Sequence, residues 1–369
     1  MKIDIEERLL HFKQPAGTSR GVYTTRRIWI VTISDGTHCG VGECAPLPDL
    51  SCDAMNPHAY QRMLRQQCDE VERTGVVDTE ALRDYPSMLF GIETAMLDYQ
   101  AQHSEHKTLF DTAFARGEAG IPINGLVWMG TYDEMLSRME EKLEQGFRCV
   151  KLKVGAIDFD RELDLVRRIR ERFGPREVEL RLDANGGFGP LQPPAKEKSG
   201  PPKLPPKGET IMGRDEALYK LELLSQYAIH SIEQPIRQGQ WARMADLCRN
   251  APLPIALDEE LIGVNDPEQK RQLLRIVKPA YIVLKPSLHG GMTGCREWIS
   301  LAQEEGIGSW ITSALESNVG LNVIAQFCSA VYGDNITMAQ GLGTGQLFTD
   351  NIPSPLEIRG DHLWITRHS

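Results

Sequence analysis

The 369-residue chain has no apolar stretch near the roughly 18 residues that a membrane-spanning helix needs. Its start, Met1-Lys2-Ile3-Asp4-Ile5-Glu6-Glu7-Arg8, interleaves charge where a secretory leader requires an apolar core. No run of Lys and Arg rises above the background, and 51 acidic against 41 basic side chains give a formal net charge of −10, so duplex nucleic acid finds no basic face. Eight cysteines are scattered without a CxxC pair, and Cys149 and Cys328 sit in apolar runs, which reads as reduced core thiols and not as a disulfide framework. With 33 Gly and 22 Pro, the chain falls well short of the roughly 25–30% of a low-complexity sequence. These absences leave an unexported globular protein, expected in the cytoplasm, with neither nucleic acid nor membrane as a partner.

What is present changes texture along the chain. Residues 1–120 read as strands followed by helices, an α+β unit: Arg27-Ile28-Trp29-Ile30-Val31-Thr32-Ile33 is β-branched and aromatic and ends at the turn Ser34-Asp35-Gly36, and helical stretches follow near 58–74 and 87–105. From 121 onward short apolar strands alternate with amphipathic helices. The strands are expected at 122–128, 149–154, 178–183, 229–233, 254–258, 280–285, 308–312 and 337–341. Thr131 and Glu134 form a capping-box pattern, Met135, Met139 and Leu143 follow at helical spacing, and Gly146 stands where the helix should stop. Eight strand-helix units favour a TIM-type (β/α) barrel over an open sheet, and place the site at the C-terminal strand ends. The expected layout is an α+β capping domain over 1–120, a barrel over 121–344, and a tail over 345–369 that returns to the cap. One segment, 189–208, holds seven prolines and four lysines with no apolar period, and reads as an extended loop after the third barrel strand, either idle surface or a lid.

The chemistry gathers at the strand ends. In Val150-Lys151-Leu152-Lys153-Val154, period-2 alternation sends both lysines to the face opposite the helices, where an unpaired ammonium is costly unless it meets anions. Alone, Lys-x-Lys fits a solvated strand. The next strands each close an apolar run with an ionisable residue: Asp183, Glu233, Asp258 and Lys285. The steps from Lys153 are 30, 50, 25 and 27 residues, and removing roughly 24 residues of Pro-rich insertion brings the 50 to one βα repeat, so all five are expected at equivalent heights. Three carboxylates without His or Cys make a hard oxygen site, suited to Mg²⁺, with Mn²⁺ as the substitute, and unsuited to zinc. Lysines on both sides of such a site suit removal of a proton α to a carboxylate, since the metal and an ammonium stabilise the enediolate while a lysine takes the proton. A lysine base beside Mg²⁺ that stabilises an enediolate is the recognised pattern of enolase-superfamily sites, and the present residues are matched to it.

On these residues, and on GVGECAPLPDLS (40–51), VKLKVG, RLDANGGF, SIEQPI, ALDEEL, VLKPSLHGG, WITSALESNVG and QGLGTGQLFTDNI, nearly the whole chain resembles the enolase superfamily, in its muconate-lactonizing-enzyme subgroup. The resemblance implies Lys153 as the acid/base residue with Lys151 beside it, Asp183, Glu233 and Asp258 as metal ligands, and Lys285 as the opposing lysine. Glu259 and Glu260 follow Asp258, so the third ligand stays open between them, with the strand-terminal Asp258 preferred. The implied reaction is dehydration of 2-succinyl-6-hydroxy-2,4-cyclohexadiene-1-carboxylate in menaquinone biosynthesis, on a small carboxylate substrate. Cap loops Pro15–Gly21 and Ala45–Leu50 are expected over the barrel mouth. Ser313, Gly341 and Gly343 are expected to meet the succinyl carboxylate through hydroxyl and N–H donors, and Arg181 to orient the ligands or to serve as a buried ion-pair partner. N-acylamino-acid racemisation is the nearest rival. Dipeptide epimerisation is disfavoured, because Gly341-Leu342-Gly343-Thr344-Gly345 lacks the Asp-x-Asp that grips a substrate amine. A metal-free Schiff-base aldolase on Lys285 and a non-catalytic binding protein complete the set.

Overall fold

Strands β1 (Lys2–Thr18) and β2 (Gly21–Ser34) form a long antiparallel hairpin, interrupted by a bulge between His11 and Ala16, and β3 (Cys39–Cys44) pairs with the other edge of β2. The computed structural model describes residues 1–18, 21–103, 108–155, 157–189 and 215–366. Almost all of the Pro-rich segment expected at 189–208 lies outside the described residues. The β-branched run of β2 is buried on both faces: Trp29, Val31 and Ile33 enter a core with helices α1 (Pro57–Thr74) and α2 (Pro86–Ala101), while Ile28 and Ile30 pack with Leu10, Ala45 and Phe348. Helix α1 starts with Asn56 accepting the Ala59 N–H at 2.9 Å and Pro57 in its first turn, and stops at Gly75 in the left-handed region. A Cβ on Gly42 would stand 1.9 Å from the Gly91 carbonyl, so glycine at both positions lets β3 lie directly on α2.

The second part alternates as the sequence predicts. In chain order come β4 (Ile121–Pro122), β5 (Gly125–Val127), α3 (Tyr132–Glu144), β6 (Cys149–Lys153), α4 (Phe159–Arg172), β7 (Glu179–Asp183), α5 (Glu216–Leu224), β8 (Ser231–Glu233) and α6 (Trp241–Asn250). Then follow β9 (Ile255–Leu257), α7 (Pro267–Val277), β10 (Tyr281–Leu284), α8 (Gly291–Glu304), β11 (Gly308–Ile311) and α9 (Asn318–Tyr332). The Thr131–Glu134 capping box opens α3 with both reciprocal bonds made. Strands β5 to β11 form one seven-stranded, all-parallel sheet in sequential order, and one continuous apolar core fills the space between sheet and helices.

Two strand expectations are modified. The run 122–128 divides: β4 leaves the parallel sheet to pair with the C-terminal hairpin of β12 (Leu356–Arg359) and β13 (His362–Ile365), and only β5 joins β6. The run 337–341 forms no strand, but Gln340 bridges Ile123 and Gly341 bridges Thr312, both parallel, so this segment links the two edges of the sheet. Before its hairpin the tail lies along β1, where Phe348 bridges Phe12 and Lys13 N–H donates to Leu347. Among the described residues no helix is long and apolar enough to cross a membrane.

Candidate active site

Alternation along β6 decides the site. Val150, Leu152 and Val154 enter the core beneath the helices, and Lys151 and Lys153 turn to the other face, both buried. Asp183 ends β7, Glu233 ends β8, Asp258 directly follows β9 and Lys285 directly follows β10. The register puts Lys153 opposite Asp183 and Asp183 opposite Glu233. It then steps: Glu233 lies opposite Ala256, two residues short of Asp258, and Ile282 lies opposite Leu257, so Lys285 is again two residues past the level of Asp258. Equal height therefore holds for three residues and not for five. A shift of two preserves the side-chain face, which is why all five still converge.

The charges are locked together. Lys151 Nζ lies 2.6 Å from Glu233 Oε2 and 2.9 Å from Asp183 Oδ2. Lys153 Nζ donates to Asn185 Oδ1 at 2.7 Å and stands 3.3 Å from Asp183 Oδ2, with its ammonium 5.6 Å from the Trp128 ring centroid. Lys285 is ion-paired with Asp258, and its backbone N–H donates to His289 Nδ1 at 2.9 Å. Burial drives His289 down to about 3, so this ring stays neutral. Burial opposes ionisation of Asp183, yet Lys151, Lys153 and Lys285 outweigh it and hold the carboxyl well below the usual range. Burial and then the neighbouring Asp183 charge push Glu233 up to about 8. Lys151 and Lys285 are raised despite burial, by the carboxylates around them.

Glu233 Oε1 and Asp258 Oδ1 are buried with no hydrogen-bond partner among the described residues. Burying a carboxylate oxygen unanswered is costly, and an oxygen-only donor set with two such atoms fits a hard divalent cation. Among the described residues, no choice of one oxygen each from Asp183, Glu233 and Asp258 brings all three within 4.8 Å of one another. Lys151 stands between the first two. Glu259 also lines the cavity, its Oε1 accepting from Asn185 Nδ2 at 3.0 Å, whereas Glu260 turns away to Gln234 and the Gly239 N–H.

The cavity above these groups measures about 100 Å³. Apolar walls come from Leu47 and Leu50 of the β3–α1 loop, Leu126, Trp128, Leu288 and Trp310, and Tyr23 contributes from β2. Of the expected substrate contacts, Ser313, Gly341 and Gly343 line it. Two need correction as donors. The Ser313 hydroxyl donates to Glu316 Oε2 at 2.6 Å, and the Gly341 N–H is used by Ile311 O at 2.9 Å. Gly341 is glycine because a Cβ there would stand 2.1 Å from Thr312 Oγ1. Arg181 does not line the cavity: it lies beneath it, 1% exposed, with its guanidinium spent on Glu179 Oε1, the Ala339 carbonyl and the Trp310 ring. It is the buried ion-pair partner, and its hydrogen bonds go to none of the three carboxylate ligand candidates. Asn185, Trp128 and Leu288 were not foreseen from the sequence; Asn185 lies past the end of β7 with a φ of 43°, where strand alternation no longer applies.

A parallel α/β sheet with buried lysines and carboxylates massed at its C-terminal strand ends defines the acid/base site of an α/β enzyme. Residues 134–368 match the family model described as enolase C-terminal domain-like, and residues 18–99 match that of the MenC N-terminal domain. The chain is 41% identical to an o-succinylbenzoate synthase of Desulfotalea psychrophila, with 99% of both chains covered. The crystal structure of MenC from Desulfotalea psychrophila superposes with a TM-score of 0.76 at 39% identity, covering 99% of both chains. A dipeptide epimerase from Enterococcus faecalis, crystallised with Mg and a dipeptide, superposes with a TM-score of 0.78 at 17% identity, covering 100% of this chain and 97% of that one, a likeness of fold alone. The chain belongs to the enolase superfamily.

Proposed function

We propose that this enzyme dehydrates 2-succinyl-6-hydroxy-2,4-cyclohexadiene-1-carboxylate to o-succinylbenzoate, a step of menaquinone biosynthesis, as a hydro-lyase. The observation that carries this reading is the 41% identity to an o-succinylbenzoate synthase across 99% of both chains. The site supplies the groups the reaction needs. Lys153 takes the proton α to the ring carboxylate, the electron pair left behind moves into the ring, and hydroxide leaves from the neighbouring carbon. Lys153 returns the proton to that hydroxide on the same face, so that water is the net loss. Lys285, kept cationic by Asp258, faces the enediolate, and Lys151 keeps Asp183 and Glu233 in place. Asp183, Glu233 and Asp258 would hold Mg²⁺, with Mn²⁺ as the substitute, by drawing closer than they stand. When bound, that ion neutralises charge developing on the substrate carboxylate.

The same reading makes residues 340–341 the eighth position of a closed (β/α) barrel over 121–344, with 1–120 as its cap and 345–369 as the returning tail, and keeps the cytoplasm as the expected compartment. N-acylamino-acid racemisation is the second reading, favoured by one observation: lysines Lys153 and Lys285 sit on opposite flanks of the carboxylates. The test is formation of o-succinylbenzoate by the purified enzyme with Mg²⁺, followed by its loss in EDTA and recovery on adding Mg²⁺. Undiminished turnover in EDTA rejects the metal site.

A further inference from the structure

The turn between β2 and β3 carries a separate cluster of metal-ligating side chains. Asp35 follows β2, His38 precedes β3, and His103 lies two residues past the end of α2. The fold joins them because β3 lies directly on α2: a Cβ on Gly40 would stand 2.0 Å from the Tyr99 backbone nitrogen, so glycine there lets the turn settle on the end of the helix. One ligand atom from each of Asp35, His38 and His103 lies within 4.8 Å of the other two, and the two imidazoles meet at 4.4 Å between centroids. None of the three lines the catalytic cavity.

Their spacing differs from that of an ordinary ion pair. Where a histidine of this chain pairs directly with an aspartate, the two atoms stand at hydrogen-bond distance: His11 Nδ1 is 2.8 Å from Asp350 Oδ2, and His362 Nδ1 is 2.7 Å from Asp361 Oδ1. Here His38 Nδ1 and His103 Nε2 stop 3.6 Å and 3.8 Å from Asp35 Oδ2, too far for a hydrogen bond. Two ligand atoms each about 2.1 Å from a tetrahedral cation stand about 3.4 Å apart, so both separations approach those of a coordination sphere.

The surrounding hydrogen bonds orient the donors. Asp35 Oδ1 accepts the Thr37 and His38 N–H groups, both at 2.8 Å, and Oδ2 accepts the Tyr99 hydroxyl at 2.9 Å. Of the roughly four acceptor positions of a carboxylate, one is left, on the oxygen that both rings approach. His103 Nδ1 lies 3.1 Å from the Tyr99 carbonyl, which can only accept, so the ring donates there and its neutral form turns the Nε2 lone pair toward Asp35. A carbonyl behind an imidazole and a hydroxyl behind a carboxylate are the outer partners that fix metal ligands in place. The Tyr99 carbonyl also belongs to the last turn of α2, whose partial negative charge favours a cation.

We propose that Asp35, His38 and His103 bind a divalent transition cation, with water completing its sphere, and that this ion clips the β2–β3 turn to the end of α2. Two imidazoles and one carboxylate suit Zn²⁺ ahead of Mg²⁺, the reverse of the all-oxygen catalytic set, so the two sites sort their metals by donor type.

The experiment titrates Zn²⁺ into the full-length, tag-free enzyme by calorimetry and follows its thermal unfolding, with saturating Mg²⁺ present to hold the catalytic carboxylates. The wild type is expected to take up one equivalent, and Zn²⁺ at a hundred times its Kd is expected to raise the folded-to-unfolded ratio about a hundredfold. His38→Asn and His103→Asn are each expected to weaken that equivalent by about a hundredfold or more, at least the cost of losing an outer partner. Asp35→Asn keeps an acceptor for the turn N–H groups and loses the anionic oxygen. It is expected to weaken Zn²⁺ about tenfold or more, and it keeps the proposal open to failure should a histidine variant not fold. A wild type that binds no Zn²⁺, or an equivalent that persists unweakened in the variants, overturns the proposal.

Discussion

At the scale of single residues, two lysines of one chemical type hold different posts. Lys153 lies on β6 between Asn185 and Asp183 and faces the cavity, whereas Lys285 is paired with Asp258 on the far flank. Dehydration needs one base that returns its proton and one cation that keeps it; racemisation needs both lysines to exchange protons. Lys153→Ala is therefore expected to lower kcat for dehydration by about 10²–10⁴, the usual worth of a general base, with Mg²⁺ binding retained. Lys285→Arg preserves the cation and is expected to keep more dehydration than racemisation of an N-acylamino acid, followed by deuterium uptake at the α-carbon. Equal losses would reject the division of roles. These lysines and carboxylates were legible in the sequence because each closes an apolar strand, and period 2 fixes their face. Arg181 was harder to place, since one partner, the Ala339 carbonyl, lies 158 positions along the chain. Ser313 carried a readable signal: Glu316 follows at the three-residue spacing of a capping box, and that carboxylate takes the hydroxyl.

At the scale of elements, helix starts divide into those capped from their own sequence and those capped from elsewhere. The Thr131–Glu134 box is local and visible in the sequence. Helix α2 has no cap of its own at Tyr85; Asp53, before α1, accepts from the Ser87 N–H at 2.8 Å and the Ser87 hydroxyl at 2.5 Å. Glu93 on α2 does the same for the first turn of α8 through Met292 and Thr293, and Glu43 on β3 adds to α9, which its own Ser317 caps at the Val319 N–H, by accepting from the Ser317 and Gly320 N–H groups. No local pattern announces such pairings. Their cost is burial, which raises Asp53 from 3.8 to about 6 against the Ser87 hydrogen bonds. A carboxyl raised on folding binds its proton more tightly in the native state. Its contribution is complete below pH ~4 and is lost as pH rises through about 6, a swing on the order of 3 kcal/mol. Asp53→Asn removes that titration. Urea unfolding at pH 4, 5, 6 and 7 should show the wild type losing ground to the variant at each step, and a constant difference would refute the assignment.

At the scale of the molecule, one buried side chain joins the two segments that line opposite sides of the cavity. Arg26 of β2 is 2% exposed and donates to the Ala45 carbonyl at 2.5 Å, to Pro46, to Leu315 at 3.1 Å and to Ala314 at 3.3 Å. Burial lowers its pKa, with Glu316 and Glu43 nearby working the other way. The carbonyls it collects belong to the β3–α1 loop, which supplies Leu47 and Leu50 to the cavity, and to the turn after β11, which supplies Ser313, Ala314 and Leu315. The count of strands and helices made the parallel sheet readable in advance, but this clasp depends on segments 288 positions apart and left no trace in any local pattern. Arg26→Met fills the space and leaves those carbonyls without a donor. At about 1–3 kcal/mol for each acceptor left wholly unanswered, and with some sharing of the strain, stability should fall by about 3–5 kcal/mol in urea. Because Arg26 touches neither lysine, what remains folded should bind substrate more weakly while turning it over at a similar rate. Arg26→Lys, which keeps an ammonium with three donors, should recover part of both the stability and KM. A lysine variant no better than methionine in either measure would mean that the positive charge contributes nothing, and that the loops are held by packing alone.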